Sequence, residues 1–231
     1  DHTTKKIIRF YPKSIDKKCT TNAAVRLLKH SDGNVYAFCN QSIFKCSMDQ
    51  TVEPILPDTV ISSPAHSVAQ APDEDIYIGT ESSGLYIYSG NWKLKQHIPV
   101  DGTITAILPD EGGNIWLGLD EAGICLFNKE RQTFTWLHKD NTCLSNNSIR
   151  TLVPYSDSSI LIGTFRGLNI LDKKELAIAP ADINIAGKGG LSHYSIHSMM
   201  IDKDQTLWIG TYSAGVNYHS PFYRPVSYIT P

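Results

Sequence analysis

The 231-residue chain has no apolar run approaching the ~18 residues that a membrane helix needs. Its opening residues, DHTTKKII, hold no apolar signal-peptide core. The expectation is that any export signal has been removed or lies outside this stretch, and that the segment itself makes no membrane contact. Basic excess is missing as well. Lys and Arg number 21 against 23 Asp and Glu, for a net charge of −2, and only six of the 21 are arginine. A chain without surplus cations cannot neutralise a run of phosphates, so a nucleic-acid partner is not expected. Five cysteines occur (Cys19, Cys39, Cys46, Cys125 and Cys143) without a C-x-x-C pair, which argues against a zinc site or redox motif. The odd count leaves at least one thiol unpaired. Cys39 and Cys46 flank a predicted hairpin where two thiols can face each other, and most of the five read as small core residues. No segment sustains a 3.6-residue apolar period between caps, so helices should be scarce.

Catalytic patterns come close and fail. TESSG and TYSAG carry Thr or Glu where a G-x-S-x-G nucleophile elbow needs glycine. AGKGG around Lys188 has Asp182 where a phosphate loop requires its first glycine, and reads as a flexible connection. Asp202, Asp204 and Thr206 begin like a calcium loop, but no glycine or bidentate glutamate follows at the required offsets, so a hairpin turn is the reading. His138, His193 and His197 fall in or beside connections without metal-ligand spacing, and read as loop histidines. Trp92 reads as packing under an outer strand. No acid, base and nucleophile set converges, so no catalytic residue, metal or cofactor is assigned and an enzyme is not expected.

What is present is a repeat. GNVYAFC, DIYIGTE, NIWLGLD, SILIGTF and TLWIGTY superpose on the anchors Tyr36, Tyr77, Trp116, Leu161 and Trp208, spaced by 41, 39, 45 and 47 residues. Such a period fits a four-stranded propeller blade. Asp32, Asp73, Gly112, Asp157 and Asp204 stand four residues before the anchors, where turn formers belong. Phe38, Gly79, Gly118, Gly163 and Gly210 stand two after. A second small residue follows (Ser42, Gly84, Gly123, Gly167, Gly215), and an apolar one after it opens a third strand. Nine before the anchors a core signal recurs as Leu27, Val68, Ile107, Leu152 and Met199.

The expected fold is therefore all-β: a β-propeller of four-stranded antiparallel blades, with five blades at about 23–57, 65–99, 103–138, 148–179 and 195–230. Residues 1–12 align with NKERQTFTWL, the outer strand of the third unit, and read as the outer strand of a preceding blade. Five inner-strand sets and six outer strands leave an open arc with bare apolar end faces, or a closed five-bladed ring with residues 5–11 added to the last blade. Each anchor, Trp116 and Trp208 included, is expected to be buried between blades.

IHSMMIDKDQTLWIGTYSAGVNYH, ITAILPDEGGNIWLGLDEAGICLF and HSVAQAPDEDIYIGTESSGLYIY resemble the two-component regulator propeller repeat, as do the connections CLSNNSIRTL and GLSHYSIHSM. The first unit departs most, with Ala37-Phe38-Cys39 in place of Gly-Thr. The resemblance implies the periplasmic sensor region of a Bacteroidetes hybrid two-component histidine kinase, in which seven-bladed propellers respond to glycan fragments. It implies an oligosaccharide ligand, and as partners the rest of the receptor or a second copy of the chain. A protein-interaction platform and, less favoured, a propeller glycosidase or lyase are the alternatives.

Propellers gather the turns between second and third strands at one face, together with the blade-to-blade connections. Those turns carry Glu81, Asp120, Glu121, Phe165, Arg166 and Tyr212. Sugars need planar hydrogen-bonding groups and flat aromatic faces, which Arg166, Phe165 and Tyr212 supply. An acidic or sulfated sugar would favour Arg166.

Overall fold

The computed structural model describes residues 26–47, 49, 51–55, 61–181 and 191–221. The predicted strand at residues 1–12, Cys19, Lys188 and the predicted last strand at Val226 and Tyr228 lie outside them.

Alternation of apolar and polar residues at period two builds antiparallel sheets, each a meander in sequence order. The first is β1 (Arg26–Lys29), β2 (Val35–Cys39), β3 (Ser42–Cys46) and β4 (Val52–Ile55). The second is β5 (Ala65–Gln70), β6 (Ile76–Thr80), β7 (Leu85–Tyr88) and β8 (Leu94–Ile98). The third is β9 (Ile104–Pro109), β10 (Asn114–Leu119), β11 (Gly123–Asn128) and β12 (Thr133–Leu137). The fourth is β13 (Ile149–Ser156), β14 (Ser159–Thr164), β15 (Gly167–Asp172) and β16 (Ile178–Pro180). The fifth is β17 (Ile196–Ile201), β18 (Leu207–Thr211) and β19 (Val216–His219), three strands among the described residues. No helix occurs among the described residues, and none is long and apolar enough to cross a membrane. The fold is an all-β propeller of antiparallel blades.

The chain divides into two compact units, residues 1–117 with 127–133, and residues 118–126 with 134–231. In the first unit Tyr36 and Phe38 of the first blade are buried against Ile76, Ile78, Tyr86 and Tyr88 of the second. Trp92 joins this cluster, 8% exposed, its ring 4.9 Å from that of Tyr36. In the second unit Leu161 of the fourth blade meets Leu207 and Ile209 of the fifth. Both joints obey one rule: the anchor of one blade packs on the residues flanking the anchor of the next. The glycine two residues past the anchor serves this contact. A Cβ on Gly79 would stand 2.6 Å from Ile104 Cγ2, and one on Gly163 2.6 Å from Ile196 Cγ2, both in the next blade.

The turns hold the anchors in place. Asp110 Oδ1 accepts the backbone N–H groups of Gly112 and Asn114, each at 2.9 Å, while Oδ2 accepts Trp116 Nε1–H at 3.2 Å. Asp202 repeats this for Asp204, Thr206 and Trp208, the indole bond being 2.8 Å. In the first blade the Tyr36 hydroxyl donates to Asp32 at 2.8 Å. Burial works against the Asp32 carboxylate, but bonds from Asn34 and Tyr36 outweigh it and lower its pKa to about 2. At the other end of the blades, Thr80, Thr164 and Thr211 donate to the carbonyls of Gly84, Gly167 and Gly215. Gly84 is held at φ +80, where a Cβ would stand 2.3 Å from the carbonyl oxygen of Ile98.

Three expectations are corrected. Trp116 is 1% exposed, but Trp208 is 39% exposed, because no described residue covers the far face of the fifth blade. Leu27 is 66% exposed although it keeps the register of the repeat, pairing with Ala37 as Val68 pairs with Ile78, because no described residue covers that face of the first blade. Cys39 pairs across the ladder with Ser42, and Cys46 with Val35, so the two thiols are not opposite and form no disulfide.

Candidate functional site

In the second, fourth and fifth blades the turn after the second strand is bonded to the connection entering the same blade. Phe165 N–H donates to Ser148 O and Tyr212 N–H to Ser195 O, each at 3.0 Å. Glu81 N–H donates likewise to Pro64 O at 3.0 Å in the first unit. Turn and connection therefore form one rim at one end of each of these blades, as propeller geometry requires.

In the second unit this rim builds a site from the fourth and fifth blades. Phe165 and Arg166, in the β14–β15 turn, and His193, Tyr194 and Ser195, in the connection to β17, line a cavity of about 390 Å³. Phe165 is 45% exposed and Tyr194 75%, so both rings present apolar faces to solvent. The Arg166 backbone N–H is bonded to Thr164 Oγ1 at 3.0 Å, which fixes the turn. Its side chain is exposed and makes no ion pair among the described residues. Arg150 differs. Its guanidinium lies 3.9 Å from Asp120 and 5.9 Å from the centre of the Phe165 ring, so it orients both and is already engaged.

Of the predicted residues, the structure brings Phe165 and Arg166 into the cavity. Tyr212, 74% exposed, stands beside it through its bond to Ser195. Asp120 reaches Arg150 rather than the cavity, and Glu121 projects into solvent at φ +65. Glu81 is exposed on the rim of the first unit, its carbonyl accepting the Thr103 hydroxyl at 3.0 Å. Tyr194 and Arg150 were not singled out from sequence; the exposed aromatic in GLSHYSIHSM was the available signal. His193, read as a loop histidine, lines the cavity, and its Nδ1 accepts the Ser195 N–H at 3.0 Å.

A second cavity, of about 580 Å³, lies at the opposite end of the first two blades, among Asp32, Asp73, Glu74, Asp75 and Lys95. Its charges are spent on each other. Asp75, 1% exposed, is bonded to Lys95 and to Lys129. Lys129 also reaches Asp73 at 2.8 Å. Burial works against the Lys129 charge, yet bonds to Asp73 and Asp75 outweigh it and raise its pKa. This network ties the second blade to the third and leaves little for a ligand. Among the described residues no group of three or more His, Cys, Asp or Glu is placed to hold a metal ion.

Residues 190–213, which include Tyr194, the end of the connection and all of β17 and β18, match the family model of the two component regulator propeller. The match spans a single repeat, in the fifth blade. Among solved structures it is similar to the extracellular domain of a putative hybrid two component system from B. thetaiotaomicron, with TM-score 0.66 and 20% identity over 83% of this chain and 26% of that one. A second such domain from the same organism gives TM-score 0.58 and 15% identity over 87% of this chain and 40% of that one. PorZ, an essential bacterial surface component of the type-IX secretion system of Porphyromonas gingivalis, gives TM-score 0.63 and 16% identity over 94% of this chain and 34% of that one. The chain spans less than half the length of each. At these identities the likeness shows the fold. No curated protein matches the chain.

Proposed function

We propose that the chain is part of the periplasmic sensor region of a hybrid two-component receptor, and that the cavity at Phe165, Arg166 and Tyr194 binds an oligosaccharide. The observation that carries this is the pairing of two solvent-facing aromatic rings with an arginine that has no acidic partner among the described residues, around about 390 Å³. That volume falls in the ~300–1,000 Å³ range of small-ligand sites. Rings of Phe165 and Tyr194 stack on the apolar face of a sugar, Arg166 meets hydroxyls or a carboxylate, and His193 and Ser195 add polar contacts. The reading is non-enzymatic, since the site holds no carboxylate pair for glycoside cleavage. Bridging two blades, a bound ligand restrains their motion and so biases the arrangement that a histidine kinase downstream would sense.

A glycan-array screen of the purified chain, followed by thermal-shift titration of the hits, tests this. Saturable binding that Phe165→Ala and Tyr194→Ala abolish is the expected result. Binding unaffected by both substitutions, or turnover of the bound glycan, contradicts it.

A further inference from the structure

Two arginines share Phe165. Arg166 follows it in the β14–β15 turn and lines the cavity. Arg150 comes from β13 and holds its guanidinium 5.9 Å from the ring centre. A bulge sends it there. Ile149 pairs with Thr164 and Thr151 with Gly163, so Arg150 between them has no residue opposite it on the ladder. A residue at a bulge is released from the alternation of its strand, which re-aims its side chain.

The tie between Arg150 and Asp120, in the β10–β11 turn, is a weak one. At 3.9 Å it is too long for a hydrogen bond, and the two side chains are 37% and 39% exposed. Water and salt weaken such a pair. The pair of Lys129 with Asp75 is its opposite, 2.7 Å long with the carboxylate 1% exposed. Arg150 is thus held near Phe165 by a carboxylate that a second anion can displace. A glycan stacked on Phe165 brings any carboxylate or sulfate it carries toward both guanidinium groups, Arg166 having no acidic partner among the described residues.

We propose, taking the cavity as an oligosaccharide site, that its ligand is an anionic glycan whose carboxylate or sulfate replaces Asp120 as the partner of Arg150. Asp120 occupies Arg150 in the free protein. In the complex Arg150 and Arg166 clamp the anion together, as the fork of each guanidinium favours. The exchange breaks the contact between the third-blade turn that bears Asp120 and the fourth blade. An anionic glycan therefore alters a tie between blades that a neutral one leaves in place. Arg150 is a ligand contact, and Asp120 is a positioning residue that acts through it.

Isothermal titration tests this with inorganic sulfate, trigalacturonate and the neutral methyl ester of trigalacturonate. The proteins are wild type, Asp120→Asn, Arg150→Gln and the double variant. Both side chains are more than a third exposed, so each variant should keep the wild-type circular dichroism. Asp120→Asn should tighten sulfate and trigalacturonate about threefold, since it frees Arg150 from an exposed pair. Arg150→Gln should weaken both about tenfold. In the Arg150→Gln background Asp120→Asn should change nothing, because its effect passes through the guanidinium. The methyl ester should bind every variant as it binds wild type. Asp120→Asn that fails to tighten the two anions overturns the proposal, and so does tightening that persists in the Arg150→Gln background, the mark of general charge alone. Sulfate that gives wild type no saturable binding overturns it too. Trigalacturonate and its ester bound equally well by wild type would overturn it while leaving the cavity an oligosaccharide site.

Discussion

Lys129 Nζ lies 2.7 Å from Asp75 Oδ2, joining the turn before β12 in the third blade to the start of β6 in the second. Asp75 is 1% exposed, and an uncompensated charge there would be costly. Lys129→Ala leaves Lys95 as the remaining partner. It should therefore lower unfolding free energy by about 1–3 kcal/mol, less than the loss of a sole partner. Urea unfolding read by circular dichroism measures this.

The two tryptophan anchors should part company. Trp116→Ala removes a ring that is 1% exposed and should cost about 3–5 kcal/mol. Trp208→Ala removes one that is 39% exposed, and under dilute conditions should cost less than half as much. Equal losses in chemical denaturation would mean that the far face of the fifth blade is covered.

Gly163→Ala and Gly210→Ala make a sharper pair. The first drives a methyl to 2.6 Å from Ile196 Cγ2 across a packed joint and should cost about 1–3 kcal/mol. The second meets only the Ser198 hydroxyl, at 2.6 Å, which can turn aside, so its melting temperature should stay near wild type. Thermal unfolding of the two variants decides it.

Acid should loosen the first blade through Asp32, whose pKa is lowered from 3.8 to about 2. The stabilisation from this carboxylate is complete above about pH 4 and is lost as pH falls through 2. Asp32 is partly exposed, so the effect should be about 1 kcal/mol. Asp32→Asn should flatten the stability profile between pH 4 and 2, and an unchanged slope would contradict the assignment.

The blades were readable because the repeat marks the same physical needs along the chain: an apolar anchor and a turn at each end in all five units, and a glycine two residues past the anchor in four. Details that depend on reach were not. Tyr36 bonds the acid four residues back, whereas Trp116 and Trp208 bond Asp110 and Asp202, six back. The longer indole passes over the intervening turn. Leu27 keeps the register of the repeat, pairing with Ala37 as Val68 pairs with Ile78, and is exposed for want of a described neighbour on that face. The anchor rule also could not tell a blade with a neighbour from one without, which is why Trp208 differs.

The rim was legible as a location, and its contents only in part. Phe165 and Arg166 come from a turn whose position the repeat defines. Tyr194 and His193 come from a connection outside the repeat's strands, and Arg150 points from β13 toward Phe165 by a rotamer that spacing does not encode. Asp120 looked available until the fold placed Arg150 3.9 Å away. The same holds for Asp75, which anchors two lysines.

Isothermal titration with matched neutral and uronic-acid oligosaccharides, on wild type and Arg166→Gln, tests the sensor site most directly. The account predicts saturable binding by wild type, tighter for the acidic ligand. Arg166→Gln should weaken the acidic ligand roughly tenfold, the ~1.4 kcal/mol of one lost charge-assisted contact, with less effect on the neutral one. No heat from either ligand, or identical isotherms for wild type and Arg166→Gln, would contradict a ligand site at this cavity.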